Sequence, residues 1–269
     1  MRGILGIGRA GAFSEVTGGR PPSFSAEKTR PGASERKKRC LPFPDRVSHA
    51  NTFERFYVFS YQGITMGTIY EITVRDNLRQ LYDNLSENLE ESLRALRKAD
   101  TFTFTAFGET CVIEPDRITF SGKPDYGPRG ILVSLYASRA NQEPLKLEPF
   151  RAFKDFPGSM PYHGAFRTRS ELVLVPHAGR IQESSDLILA PFDGKPNPAG
   201  AAGDFSLLLY PLPKIALCYI FYLPDEDFPA SVTCLFSANA LSFMPLDGLA
   251  DVAEHSSEKM LTILEKTGP

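Results

Sequence analysis

The sequence predicts an α+β fold: a mixed, mainly antiparallel sheet packed against an N-terminal and a C-terminal amphipathic helix. Three observations carry this. Short apolar runs follow one another across tight turns rather than alternating regularly with helices. A leucine stripe at helical spacing precedes them, and a second amphipathic stretch closes the chain.

The first helix is expected from Asp76, a good N-cap, to about Lys98. Leu78, Leu81, Leu85, Leu89, Leu93 and Leu96 recur at three- and four-residue steps, which places them on one face. Asp83, Glu87, Glu90 and Glu91 precede Arg94, Arg97 and Lys98, the order that the helix dipole favours, so these acids read as a solvated face. Thr101–Phe107 alternates with period two, as a half-buried strand does. Thr110–Ile113 and Arg117–Phe120 form two short strands joined at Glu114-Pro115-Asp116, and Pro128 opens a helix to about Ala140 with Ile131, Leu132, Leu135 and Tyr136 inward.

Residues 141–204 are the least regular. Glu171–Val175 and Asp186–Ala190 suit either strand or short helix, and Gly194–Gly203 reads as a loop. Asp204–Tyr210 and Lys214–Leu223 are expected strands. The second is apolar almost without alternation, which predicts burial on both faces and a central place in the sheet. Val232–Phe236 is its expected hairpin partner. Pro245 and Asp247 open a last helix with Leu249, Val252, Ala253, Met260, Leu261 and Leu264 inward.

Composition is that of an ordinary globular chain, with 42% hydrophobic and 23% charged residues, 20 Phe and no Trp. The net charge of -2 predicts no general affinity for nucleic acid, but it conceals a division. Residues 1–65 hold 11 Lys+Arg against 5 Asp+Glu, and residues 66–269 hold the other 19 basic and 27 acidic residues. The first segment is rich in Gly, Arg, Ser and Pro and reads as disordered, ahead of a single α+β domain over residues 66–269. A cleaner pattern begins at Met66, so residues 1–65 read as an over-extended start. Within that segment Gly6-Ile7-Gly8-Arg9-Ala10-Gly11 satisfies the dinucleotide fingerprint. The phosphate-binding chemistry needs a preceding strand and a following helix, and Gly18-Gly19-Arg20-Pro21-Pro22 forbids the helix, so the match is discarded.

The four cysteines form no CxxC, and no secretory signal opens the chain, which suits a reducing cytoplasm. The longest apolar candidate, Leu207–Leu223, is interrupted by Pro211, Pro213 and Lys214, so no membrane span is expected.

Four groups of residues merit weighing for chemistry. Asp225, Glu226 and Asp227 place three carboxylates at one turn, where they suit acid–base work or a hard cation, although Pro and Asp are ordinary turn residues. His163 and His177 are loop histidines beside Gly and Pro, suited to proton transfer. Cys218 and Cys234 lie on two expected hairpin strands; a one-residue choice of register decides whether they share a face and, with His255, form a metal site. The alternative is two buried apolar thiols and a surface histidine. Arg167, Arg169 and Arg180, with Arg151 and Lys154, make the middle locally basic, as a site for a small anionic ligand would be. Solvated loops explain the same charges.

Leu212-Pro213-Lys214-Ile215 and then Tyr222–Ser231, with Phe-Pro-Ala after the acidic turn, resemble the central signature of the domain-of-unknown-function family 3786. Leu235-Phe236, Phe243–Leu246 and Leu249-Ala250 continue the likeness, which covers roughly residues 85–265. The resemblance implies an accessory or ligand-binding role in the cofactor metabolism of anaerobic bacteria and archaea. An iron–sulfur or corrinoid protein is the implied partner, because some relatives are joined to a four-cysteine iron–sulfur domain. This chain has no such cysteine cluster, and the resemblance supplies no cofactor and no catalytic residues. An enzyme using the 225–227 carboxylates with a loop histidine, and a structural interaction domain, are the other two readings.

Overall fold

Helices stand at both ends of the described chain, and two five-stranded antiparallel sheets lie between them. The computed structural model describes residues 66–266, so the expectations for residues 1–65 lie outside the described residues. The first sheet is a meander in chain order: β1 (Leu96–Lys98), β2 (Thr101–Ala106), β3 (Glu109–Ile113), β4 (Ile118–Phe120) and β5 (Lys123–Pro124). In β2 the period-two pattern is realised, with Phe102, Phe104 and Ala106 buried and the threonines between them more exposed. The β2–β3 hairpin turns on Phe107 and Gly108, at φ 50° and 73°. Positive φ at both residues is what a two-residue turn needs to match strand twist, and it favours glycine. At position 107 a phenylalanine bears that strain.

The first helix differs from its expected span. Helix α1 covers Met66–Asp83, so Asp76 lies inside it rather than at its cap. A separate short helix α2, Leu89–Leu93, follows, and Arg94 at φ 54° ends it before β1 begins. The leucine stripe persists through the break: Leu78, Leu89 and Leu93 are buried, but Leu96 is 76% exposed on β1. Asn84, Ser86 and Asn88, which compete locally with helix hydrogen bonds, occupy the interruption. Spacing alone did not reveal it, because both helices use one apolar surface. Helix α3 (Pro128–Ser138) forms as expected and packs on α1, with Asn77 Nδ2 donating to Ser134 Oγ at 2.9 Å.

The middle of the chain is helical where sequence allowed strand. Helix α4 (Met160–Phe166) runs into a π-helical turn, Arg167–Leu172, then a 3-10 turn at Val175–His177, α5 (Ala178–Glu183) and α6 (Ser185–Leu189). Four phenylalanines, Phe153, Phe156, Phe166 and Phe236, knit this region to the second sheet, with Phe153 stacked on Phe166 at 4.3 Å.

The second sheet has the order β6-β10-β9-β8-β7, made by Arg151–Ala152, Ser231–Phe236, Ile215–Tyr222, Phe205–Leu212 and Lys195–Pro196. Strand β9 is central, as its uninterrupted apolar run predicts. The two-residue β7 arises inside the expected Gly194–Gly203 loop. On one face Leu217, Tyr219 and Phe221 join the main core beneath the last helix, α7 (Leu246–Lys266). On the other, Leu208, Ala216, Cys218 and Ile220 form a smaller cluster under Leu145, Leu147 and Phe150.

That covering segment is held by polar groups. Lys214, 3% exposed, donates to the carbonyls of Asn141 (2.6 Å) and Glu143 (3.1 Å), and Asn239 Nδ2 donates to Glu143 Oε1 and to the Pro144 carbonyl. A buried ammonium is tolerated because carbonyl oxygens replace its water. In α7, Leu249, Val252, Ala253, Met260 and Leu264 are buried as expected, and Leu261 is half-buried. The Tyr219 hydroxyl donates to the Ala253 carbonyl at 3.0 Å, and Ser257 Oγ donates to the Ser170 carbonyl at 2.8 Å, fastening helix, central strand and π-helical turn. No helix among the described residues is long and apolar enough to cross a membrane.

Candidate functional site

An open cleft of about 500 Å³ lies where the β2–β3 hairpin, the start of α3 and the C-terminal half of α7 meet. Its lining includes Phe107 and Glu109 from the hairpin, Gly127, Pro128 and Arg129 from the second wall, and His255, Glu258 and Lys259 from α7. The positions are fixed by the fold. The Phe107 N–H donates to the Pro211 carbonyl at 2.7 Å, tying the hairpin tip to β8, and the Phe107 ring lies against Phe120 and edge-on to His255. Asp125 Oδ1 accepts the Gly127 N–H at 2.8 Å, which sets the entry to α3.

Glu109 binds the three walls together. Its Oε1 accepts from Arg129 Nη1 at 3.1 Å and from Lys259 Nζ at 2.8 Å. Burial alone would raise this carboxyl, but Lys259 and Arg129 outweigh it and hold it below the usual carboxylate range. Arg129 is bound at each of its three nitrogens: Nε and Nη2 also donate to Asp125 Oδ2, and its guanidinium lies 4.3 Å from the centre of the Phe120 ring. Lys259 has only the one acceptor among the described residues, which leaves two ammonium hydrogens for other partners. On α7 the hydrogen bond between His255 Nδ1 and Glu258 Oε2, at 3.0 Å, holds the Glu258 carboxyl below its ordinary value.

One turn before His255, Asp251 is 8% exposed, and its Oδ2 has no partner among the described residues. Burial, followed by the nearby charge of Glu254, pushes it up to about 7. A second open cleft of about 420 Å³ lies between α1 and the β3–β4 turn. Its arginines pair along their own helix, Arg75 with Glu71 and Arg79 with Asp76, and Arg75 also lies over the Tyr126 ring, so no carboxylate there gathers cations from two separate helices as Glu109 does among the described residues.

The structure disperses most of the residues singled out from sequence. Asp225, Glu226 and Asp227 sit exposed at the β9–β10 tip, where Asp225 Oδ1 accepts the N–H groups of Asp227 (2.9 Å) and Phe228 (2.7 Å). That is turn chemistry. His163 is on α4, with its Nδ1 buried and unpartnered among the described residues, and His177 closes the 3-10 turn. Among the described residues the acidic tip bonds to its own turn and to neither histidine.

Arg167 is exposed, Arg169 pairs with Glu254 at 3.4 Å, and Arg180 donates to the Leu264 carbonyl at 2.9 Å. Register separates the two cysteines. Cys234 pairs with Tyr219 and Leu235 with Cys218, so Cys234 faces the main core and Cys218 the opposite side. Burial pushes the Cys218 thiol up to about 12 and raises Cys234 as well. Only His255 of that trio reaches the cleft. Glu109 and Lys259, 150 positions apart, give no sequence signal of their meeting.

No curated protein and no solved structure matches the chain. The family model described as Domain of unknown function (DUF3786) matches residues 82–259, which include the hairpin, the start of α3 and α7 as far as Lys259. With well over half of its 269 residues matched, the chain belongs to the DUF3786 family.

Proposed function

We propose that the protein is a ligand-binding or accessory module whose cleft at Glu109, Arg129, His255 and Lys259 takes a small anionic molecule. The observation that supports this is the shared carboxylate. A single Glu109 oxygen organises cations from two separate helices, and the Lys259 ammonium keeps hydrogens to offer. A cation held in place before a ligand arrives binds with less loss of side-chain freedom. An accessory role in anaerobic cofactor metabolism, beside an iron–sulfur or corrinoid protein, is the setting that the family likeness suggests for such a module.

The test is a thermal-shift and calorimetric screen with inorganic phosphate, nucleotides, small carboxylates and corrinoids, run on the chain and on Lys259→Ala. A ligand present at a hundred times its Kd stabilises by about 2.7 kcal/mol. A rise in Tm for the parent that is lost in Lys259→Ala is the expected result. A rise that survives the substitution would move the site elsewhere, and no rise with any of these compounds would sink the reading.

A further inference from the structure

His255 differs from the other cleft residues in what its bonding leaves available. Its side chain is 20% exposed, and its ring is held edge-on to Phe107, with centroids 6.0 Å apart. Its Nδ1 lies 3.0 Å from Glu258 Oε2, an acceptor in the ionised state. In a neutral imidazole one nitrogen carries the proton and the other a lone pair. A carboxylate at Nδ1 keeps the proton there and so leaves the lone pair on Nε2. Nε2 makes no hydrogen bond among the described residues. The charges facing it from the other walls are paired: Asp125 with Arg129, and Glu109 with Arg129 and Lys259. Within one turn of its own helix the charged groups are Asp251, Glu254, Glu258 and Lys259, of which Glu254 is paired with Arg169.

We propose that His255 is the proton-transfer group of this cleft, with Glu258 as the residue that positions its ring and fixes its tautomer. The substrate class is a small carboxylate or phosphate ester that carries an acidic O–H or C–H. As an N–H bond forms at Nε2, the ligand's O–H or C–H bond breaks, and its electron pair stays on the ligand as negative charge facing the Lys259 ammonium. The reverse transfer returns the proton. A positioned acid–base group of this kind contributes about 10²–10⁴-fold to a rate. This role rests on the cleft being a ligand site.

The experiment is nitrogen NMR of the full chain labelled in its histidines, with His255→Gln used only to assign the resonance. The expected spectrum has Nδ1 protonated and Nε2 bare at a pH where the ring is neutral. In Glu258→Gln, an exposed change, that preference should relax toward the mixture of a free imidazole. Excess inorganic phosphate should move the Nε2 resonance in the parent but not in Lys259→Ala. A proton on Nε2 in the parent, or a tautomer indifferent to Glu258→Gln, would overturn the assignment. A phosphate-induced rise in Tm that leaves the His255 resonance in place would refute proton transfer while the ligand site stands. The expected tautomer with no Tm response to any anion would instead remove the ligand reading, and with it the reaction.

Discussion

Two hairpin tips in this molecule reverse the roles that their sequences suggest. The β9–β10 tip carries Asp225, Glu226 and Asp227 in three consecutive positions, yet all three are exposed and Asp225 commits its carboxylate to its own turn. The β2–β3 tip reads as the end of an alternating strand, yet Phe107 is buried in a left-handed conformation and the next residue but one, Glu109, joins three walls of a cleft. A concentration of charge in sequence marks a place where charge can stay in water. A site needs groups brought together from distant positions, on elements that cannot move apart.

The strongest way to break this comparison is to empty each tip of its aromatic residue. Phe107 is 1% exposed and Phe228 is 71% exposed. Phe107→Ala should cost about 3–5 kcal/mol, the usual loss for a buried phenylalanine, and Phe228→Ala should stay within about 0.5 kcal/mol. Urea unfolding of both variants measures the difference. Similar midpoints would mean that the β2–β3 tip is no more part of the core than the acidic one.

The next effect concerns a carboxylate that is buried rather than displayed. Asp251 is pushed from 3.8 up to about 7 by burial and by Glu254. Between those two values the folded protein keeps a proton that the unfolded chain has released. Its contribution to stability therefore falls as pH rises through this window and is lowest above pH 7. Asp251→Asn removes the charge with little change of shape. It should stabilise the protein at pH 8 by a few kcal/mol, at about 1.4 kcal/mol for each tenfold change in proton affinity, and have little effect near pH 4. Melting temperatures across the range test it, and parallel profiles for parent and variant would refute it.

The legible part of this fold is the part in which one element decides its own burial. Strand β9 shows its central position because every residue from Ile215 to Phe221 is apolar and buried, and β2 shows its faces through Phe102 and Phe104. The break between α1 and α2 was hidden because Leu78, Leu89 and Leu93 serve one core surface on both sides of it. The π-helical turn was hidden for another reason. It is fixed by Ser257 reaching the Ser170 carbonyl and by Glu171 Oε1 accepting the Cys234 N–H at 2.9 Å, both contacts from distant positions. The cleft is the extreme case. Of its residues only His255 stood out in the sequence, and then for a metal set that register pulls apart.

Glu109→Gln tests the tie at intermediate size. It keeps the shape of the side chain and removes the charge that Arg129 and Lys259 share, at an expected cost of about 1–2 kcal/mol. Because the folded carboxyl lies below its ordinary value of 4.5, its stabilisation is fully present above pH 4.5 and is lost as pH falls through the folded value. The parent should therefore lose its advantage over Glu109→Gln on acidification, as paired thermal melts at neutral and acid pH would show. An unchanged gap would mean that the pairs contribute nothing beyond their geometry.

The smallest effect is expected at the residue that looks most catalytic. Asp225 Oδ1 accepts two backbone N–H groups in an exposed turn, a service that needs an oxygen but no charge. Asp225→Asn retains that acceptor and should leave Tm nearly unchanged. Asp225→Ala removes it and should cost at most about 1 kcal/mol, in the range of lost side-chain caps. The order of the two variants is the informative result. If Asn is as harmful as Ala, the charge itself matters. If Asp225→Asn also abolishes the ligand-induced rise in Tm that Lys259 is expected to support, the acidic tip belongs to the site and the contrast between the two hairpins collapses.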